Sequence, residues 1–148
     1  MELVKVRNGH SGAADEGPRV KVGFPGGRKV SVEIGGHTIL TDQPREVGGD
    51  DEAPSPYSLF LASIGACAGF YALTFCQRRD LPTEGLEVTA HPRAEDGTLA
   101  EVELRIALPA GFPEKYRGAL IRSVDQCSVK RAILAQPAFR IEVTASNA

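Results

Sequence analysis

The chain has 148 residues, 42% of them hydrophobic and 24% charged, the balance of one soluble globular domain with room for a proper core. A formal net charge of −2 gives no electrostatic footprint for nucleic acid or for an anionic membrane surface. The opening MELVKVRNG has no apolar signal core, so a cytoplasmic location is expected. In that compartment the three cysteines would stay reduced, and any disulfide would be transient and catalytic.

In chain order, residues 1–52 read as a β region. Leu3 to Arg7 alternates apolar and polar, as do Val20 to Phe24, Lys29 to Ile34 and His37 to Thr41. Pro25-Gly26-Gly27 marks a turn, and Gly35-Gly36 marks a two-residue hairpin, because both central positions want φ > 0. Asp42 to Glu52 is a loop with Gly48-Gly49 and the acids Asp50, Asp51 and Glu52. Residues 53–79 form the central helix, with Ser55 as N-cap, Pro56 at the first helical position, and Asp80-Leu81-Pro82 as the stop. From Ala53 to Gln77 there is no charge, so this helix is expected to be buried on every side. The run from Leu59 to Cys76 just reaches the length of a membrane span. The β-patterned flanks, Gly65 and Gly69, and the lack of bracketing charge asymmetry favour the core helix of a soluble protein instead.

Residues 86–148 begin with a second β pair, Leu86 to Arg93 and Leu99 to Leu108, joined through Asp96-Gly97. Pro113 to Gln136 is helical, with Tyr116, Leu120, Val124 and Cys127 on one stripe and Asp125 as the expected cap of a second helix. Arg140 to Ala145 reads as a closing strand. The order βββ–α–ββ–α(α)–β is an α+β plan in a single domain spanning 1–148, with two antiparallel sheets around one buried helix.

Cys67 and Cys76 lie nine positions apart on one helix. That is about 900° of turn and about 13 Å of rise, so they point to opposite faces and cannot be bridged. Cys127, on the other helical segment, remains as a partner for Cys67. At this level the alternative that all three are small buried hydrophobes stays open. No CxxC or HExxH is present, and His10, His37 and His91 have no partner spacing, so no metal site is expected. Gly23 to Ser31 fails the spacing of a phosphate loop, and no nucleophile elbow supports Ser-His-Asp chemistry.

The segment Gly48-Gly49-Asp50 followed by P-S-P-Y-S-L-F-L-A-S-I-G-A-C is similar to the P-x-E-L-L-x-A-x-x-x-C stretch of OsmC/Ohr proteins. Asp125-Gln126-Cys127-Ser128-Val129 resembles their second motif, commonly C-P-V. The resemblance spans essentially the whole chain. It implies an intertwined homodimer with two interfacial sites, and a thiol peroxidase that reduces small hydrophobic organic hydroperoxides. Cys67 matches the attacking cysteine and Cys127 the resolving one. Arg28 matches the family's active-site Arg from the N-terminal β region, with Arg19 as the other candidate. No cofactor is implied; an external dithiol, in this family often a lipoyl dithiol, resets the pair. Two positions depart from the pattern: Tyr57 stands where the family has a Glu that orients the Arg, and Ser128 stands where it has a Pro. Tyr57 carries no charge to hold a guanidinium, which predicts a slow peroxidase. The rival reading is the same dimer used as a binding or redox-sensing protein, with a hydrophobic pocket at its interface.

Overall fold

A computed structural model describes residues 17–145. The strand expected at Leu3 to Arg7, and His10, lie outside the described residues. Strands β1 (Val20–Gly26), β2 (Lys29–Ile34) and β3 (His37–Thr41) form an antiparallel sheet in the order β1-β2-β3. The β2–β3 turn is made by Gly35 and Gly36 with φ of 55° and 80°, the left-handed pair that their sequence demands. The register pairs Val22 with Val32 and Val32 with Ile39. Because strand side chains alternate, Val20, Val22, Val30, Val32, Ile34 and Ile39 share one face. Among the described residues no helix and no strand of the other sheet packs extensively on that apolar face, and Val20 remains 53% exposed and Val22 47%.

Helix α1 (Pro56–Gln77) starts where the sequence places it. The Ser55 hydroxyl accepts the Ser58 N–H at 3.1 Å, and Pro56 occupies the first turn, where its missing N–H costs nothing. It ends in a Schellman arrangement. Asp80 takes φ of 51°, its N–H reaches the Gln77 carbonyl at 3.3 Å, and the Leu81 N–H reaches the Cys76 carbonyl at 3.0 Å. The Arg79 guanidinium lies 3.9 Å over the Phe75 ring and closes that end.

Strands β4 (Glu87–Glu95) and β5 (Thr98–Ala107) form a separate two-stranded antiparallel sheet. After them come α2 (Arg117–Val124) and α3 (Ser128–Leu134). The α+β plan of two antiparallel sheets and one long helix is therefore what the chain forms. The core is a stripe of α1, Ala68, Ala72, Phe75 and Cys76, against Leu120 and Val124 of α2, with Leu104 and Ile106 of β5 packed onto it. The alanines let α2 approach α1 closely, and their i, i+4 spacing keeps them on one side of the helix.

Two expectations are corrected within the single chain. Helix α1 is not buried on every side: β4, α2 and α3 cover one side, and Tyr57, Phe70 and Leu73 on the rest are 55%, 59% and 38% exposed. By length and composition alone α1 would also pass for a membrane span. The strand expected at Arg140 to Ala145 does not form, and Phe139, Ile141 and Val143 are more than nine-tenths exposed. Alternation marks a segment that fits a sheet, but a strand exists only where an edge offers it backbone partners.

Candidate active site

The elbow between α2 and α3 sets the site. Asp125 does not open the second helix as expected; it closes α2 as the C-cap, its N–H bonded to the Ile121 carbonyl at 2.9 Å. Its carboxylate pairs with Lys130. The cap of α3 is Cys127, whose Sγ accepts the Lys130 N–H at 3.5 Å. Leu120 and Val124 anchor α2 in the core, and the Ser123 hydroxyl donates to the Tyr71 carbonyl of α1 at 3.4 Å. These contacts press the Cys127-Ser128-Val129 segment against the middle of α1, where Cys67 lies.

Ser128, the residue after Cys127, brings its Oγ to 3.6 Å from Cys67 Sγ, and the Cys67 and Cys127 thiols are close enough for each to bear on the other's ionisation. All three cysteines are free thiols. Burial pulls the Cys67 thiol up, but hydrogen bonds from the Cys127 thiol, the Val129 N–H, and the Ser128 hydroxyl and N–H outweigh it, and Cys67 ends below the ordinary thiol range. Cys127 is fully buried and is pushed up by that burial and by its bond to Cys67. Cys67 is thus the more acidic of the two thiols. The N–H groups at this helix start serve both sulfurs: that of Lys130 bonds Cys127, and those of Ser128 and Val129 help to lower the Cys67 thiol. Cys76 sits in the core, its thiol pushed up by burial against a smaller opposing effect of Arg79, and it takes no part.

Arg28, in the β1–β2 turn, packs beside Gly48: a Cβ on that glycine would lie 3.6 Å from Arg28 Nε. It is not among the hydrogen-bond partners of Cys67 in the chain. Arg19 lies at the other end of the sheet, beside Gly35 and Gly36. Tyr57 is in the first turn of α1, its ring 5.9 Å from that of Phe60. The loop that carries Gly48 is built on Asp42, which is fully buried and accepts the N–H groups of Gln43, Glu52 and Asp50 at 2.8, 3.1 and 3.2 Å. Burial opposes ionisation of Asp42, but those bonds prevail and hold its carboxyl below the usual range. Asp50 and Glu52 both pair with Lys29, at 2.6 and 3.1 Å. Gly49 passes so close to the Gln43 carbonyl that a Cβ would sit 1.8 Å from its oxygen, so only glycine fits.

The family model for OsmC-like proteins matches residues 49–142, the segment that carries both cysteines. The chain belongs to the OsmC-like family. None of the curated protein sequences is significantly similar to it. Solved structures share its fold. A Psychrobacter arcticus protein named for osmotic stress induction and a detoxification response superposes with a TM-score of 0.63 at 23% identity, over 76% of this chain and 85% of that one. An organic hydroperoxide resistance protein from Elizabethkingia anophelis gives 0.58 at 23%, over 79% and 87%. One from Legionella pneumophila gives 0.50 at 24%, over 82% and 91%. At these identities the likeness is one of fold.

Within this OsmC-like chain the two motif cysteines meet, and the candidate Arg does not join them. Beside them lies an open, mainly apolar cavity of about 690 Å³, lined by Phe60, Ser128, Val129, Ala132, Ile133 and Phe139 among others. Two residues escaped the sequence reading. Ser128 contacts the reactive sulfur, and its only signal is the departure from C-P-V. Asp42 organises the loop, and its only signal is a lone acid next to a strand end, a pattern too common to single out.

Proposed function

We propose that this protein is a thiol peroxidase that reduces small hydrophobic hydroperoxides and works as a homodimer. The observation that carries this reading is the α2–α3 elbow, which lays the Cys127-Ser128-Val129 segment against Cys67 with Ser128 Oγ 3.6 Å from its Sγ, while Ser128 and Val129 also line an apolar cavity. The Cys67 thiolate attacks the terminal oxygen of R–O–O–H. As the S–O bond forms the O–O bond breaks, giving a Cys67 sulfenic acid and an alkoxide that takes a proton to leave as the alcohol. The Cys127 thiol then displaces the sulfenic hydroxyl as water and forms the Cys67–Cys127 disulfide. An external dithiol, of which a lipoyl group is one kind, reduces it back to two thiols in a reducing cytoplasm.

The dimer is supported by what one chain leaves bare: an apolar sheet face, an apolar side of α1, and the alternating, unpaired Phe139, Ile141 and Val143. Two copies related by a two-fold axis bury these reciprocally, which is how an isologous interface works. The partner's Arg28 then supplies the fixed cation that a buried thiolate benefits from.

Tyr57, where the family carries a Glu, favours a second reading, that of a binding or redox-sensing protein with the same pocket. One equivalent of cumene hydroperoxide separates the two. Loss of two free thiols per chain, with Cys67 joined to Cys127 by peptide mapping and Cys76 left free, is the expected result. No loss over minutes leaves the binder, and a Cys67–Cys76 link would overturn the geometry of α1.

A further inference from the structure

We propose that the Ser128 hydroxyl is a catalytic hydrogen-bond donor to the Cys67 thiolate, taking over in this chain part of the work of a fixed cation. Its Oγ lies 3.6 Å from Cys67 Sγ, and the same residue lines the apolar cavity. Ser128 therefore links the two, in contact with the reactive sulfur and part of the cavity wall. In the neutral pair either group can donate. Once Cys67 ionises the sulfur has no hydrogen left, and only the serine can donate. The bond then becomes charge-assisted and about twice as strong as its neutral counterpart. It strengthens on ionisation, so it shifts the equilibrium toward the nucleophile and does more than hold a side chain still.

The residue type matters. A proline at position 128 has no hydroxyl and no N–H, and leaves the thiolate to be stabilised from elsewhere. Serine supplies both groups beside a sulfur that no arginine among the described residues is seen to contact. The position departs from C-P-V and Tyr57 departs from Glu. The first departure adds local donors to the thiolate while the second removes the acid that would hold an arginine near it.

The effect on turnover rests on the peroxidase reading; the effect on ionisation does not. The test therefore has two arms, run on the full chain with Ser128→Ala and Ser128→Thr. In the first, iodoacetamide alkylation of Cys67 is followed by mass against pH. Ser128→Ala is expected to raise the apparent pKa of Cys67 by about one unit, the scale of one charge-assisted hydrogen bond. Ser128→Thr, which keeps the hydroxyl, is expected to retain the wild-type curve. In the second, the rate of Cys67 oxidation by cumene hydroperoxide is measured below the pKa; the alanine variant slows and the threonine variant does not. An alanine curve that superimposes on wild type overturns the assignment of Ser128. An alkylation shift in a protein that cumene hydroperoxide fails to oxidise upholds the assignment and removes the peroxidase reading.

Discussion

Replacing Phe70 by Glu should split the dimer while leaving each chain folded. Phe70 is on the open side of α1, 59% exposed, and it is not among the buried core residues. A phenylalanine presents about 200 Å², so roughly 120 Å² of ring remains for a partner to cover. At about 25 cal/mol per Å² that is about 3 kcal/mol for one ring. A two-fold axis uses each ring once per chain, which makes about 6 kcal/mol per dimer, on the order of a 10⁴-fold change in dissociation constant. Burying the new carboxylate adds to this in the same direction. Sedimentation equilibrium at micromolar concentration should find the wild type dimeric and the variant monomeric, with unchanged helical circular dichroism. If the partner's Arg28 acts on Cys67, alkylation of the monomeric variant should also show the Cys67 pKa moved up. A variant that associates as tightly as wild type would refute the placing of this side of α1 in the interface. A wild type that is monomeric would remove the reciprocal-burial argument altogether.

Tyr57→Glu should speed Cys67 oxidation in stopped-flow measurements, because a charged acid holds Arg28 by a bond about twice as strong as a neutral one, and Arg28→Met should slow it. If neither changes the rate, Arg28 has no place in the site. Asp50→Asn and Glu52→Gln should leave the rate unchanged, since both acids are engaged with Lys29 and not available in place of the missing Glu. The Asp42 anchor should fail in acid. Its folded pKa is depressed, so its stabilisation is complete above the unfolded value of about 3.9 and is lost as pH falls through the lower folded value. Amide exchange at Gln43, Asp50 and Glu52 should quicken below about pH 4 relative to the rest of the chain, and Asp42→Asn should quicken it at neutral pH as well.

The elements that the sequence made legible are those fixed by local chemistry. Gly35-Gly36 between two alternating runs places β2 and β3 to the residue, and Ser55-Pro56 places the start of α1. What it left obscure depends on contacts between distant segments. The C-terminal alternation marks a segment suited to a sheet without naming the edge it pairs with, and no strand among the described residues pairs with it. An uncharged helix reads as buried all round, yet which of its sides is covered depends on how many layers one copy brings. The two cysteines were identifiable from their motifs, whereas the donors to Cys67 became visible only once the α2–α3 elbow had laid Ser128 and Val129 against α1.

Cys127 holds α3 by its sulfur, through the Lys130 N–H, and it is also the thiol that the proposed cycle turns into a disulfide. In the reduced chain that sulfur caps the helix, and in the proposed disulfide the same sulfur would be bonded to Cys67. Val129, Ala132 and Ile133, the residues by which α3 walls the cavity, ride on that first turn. The binding surface and the redox pair therefore share one helix start.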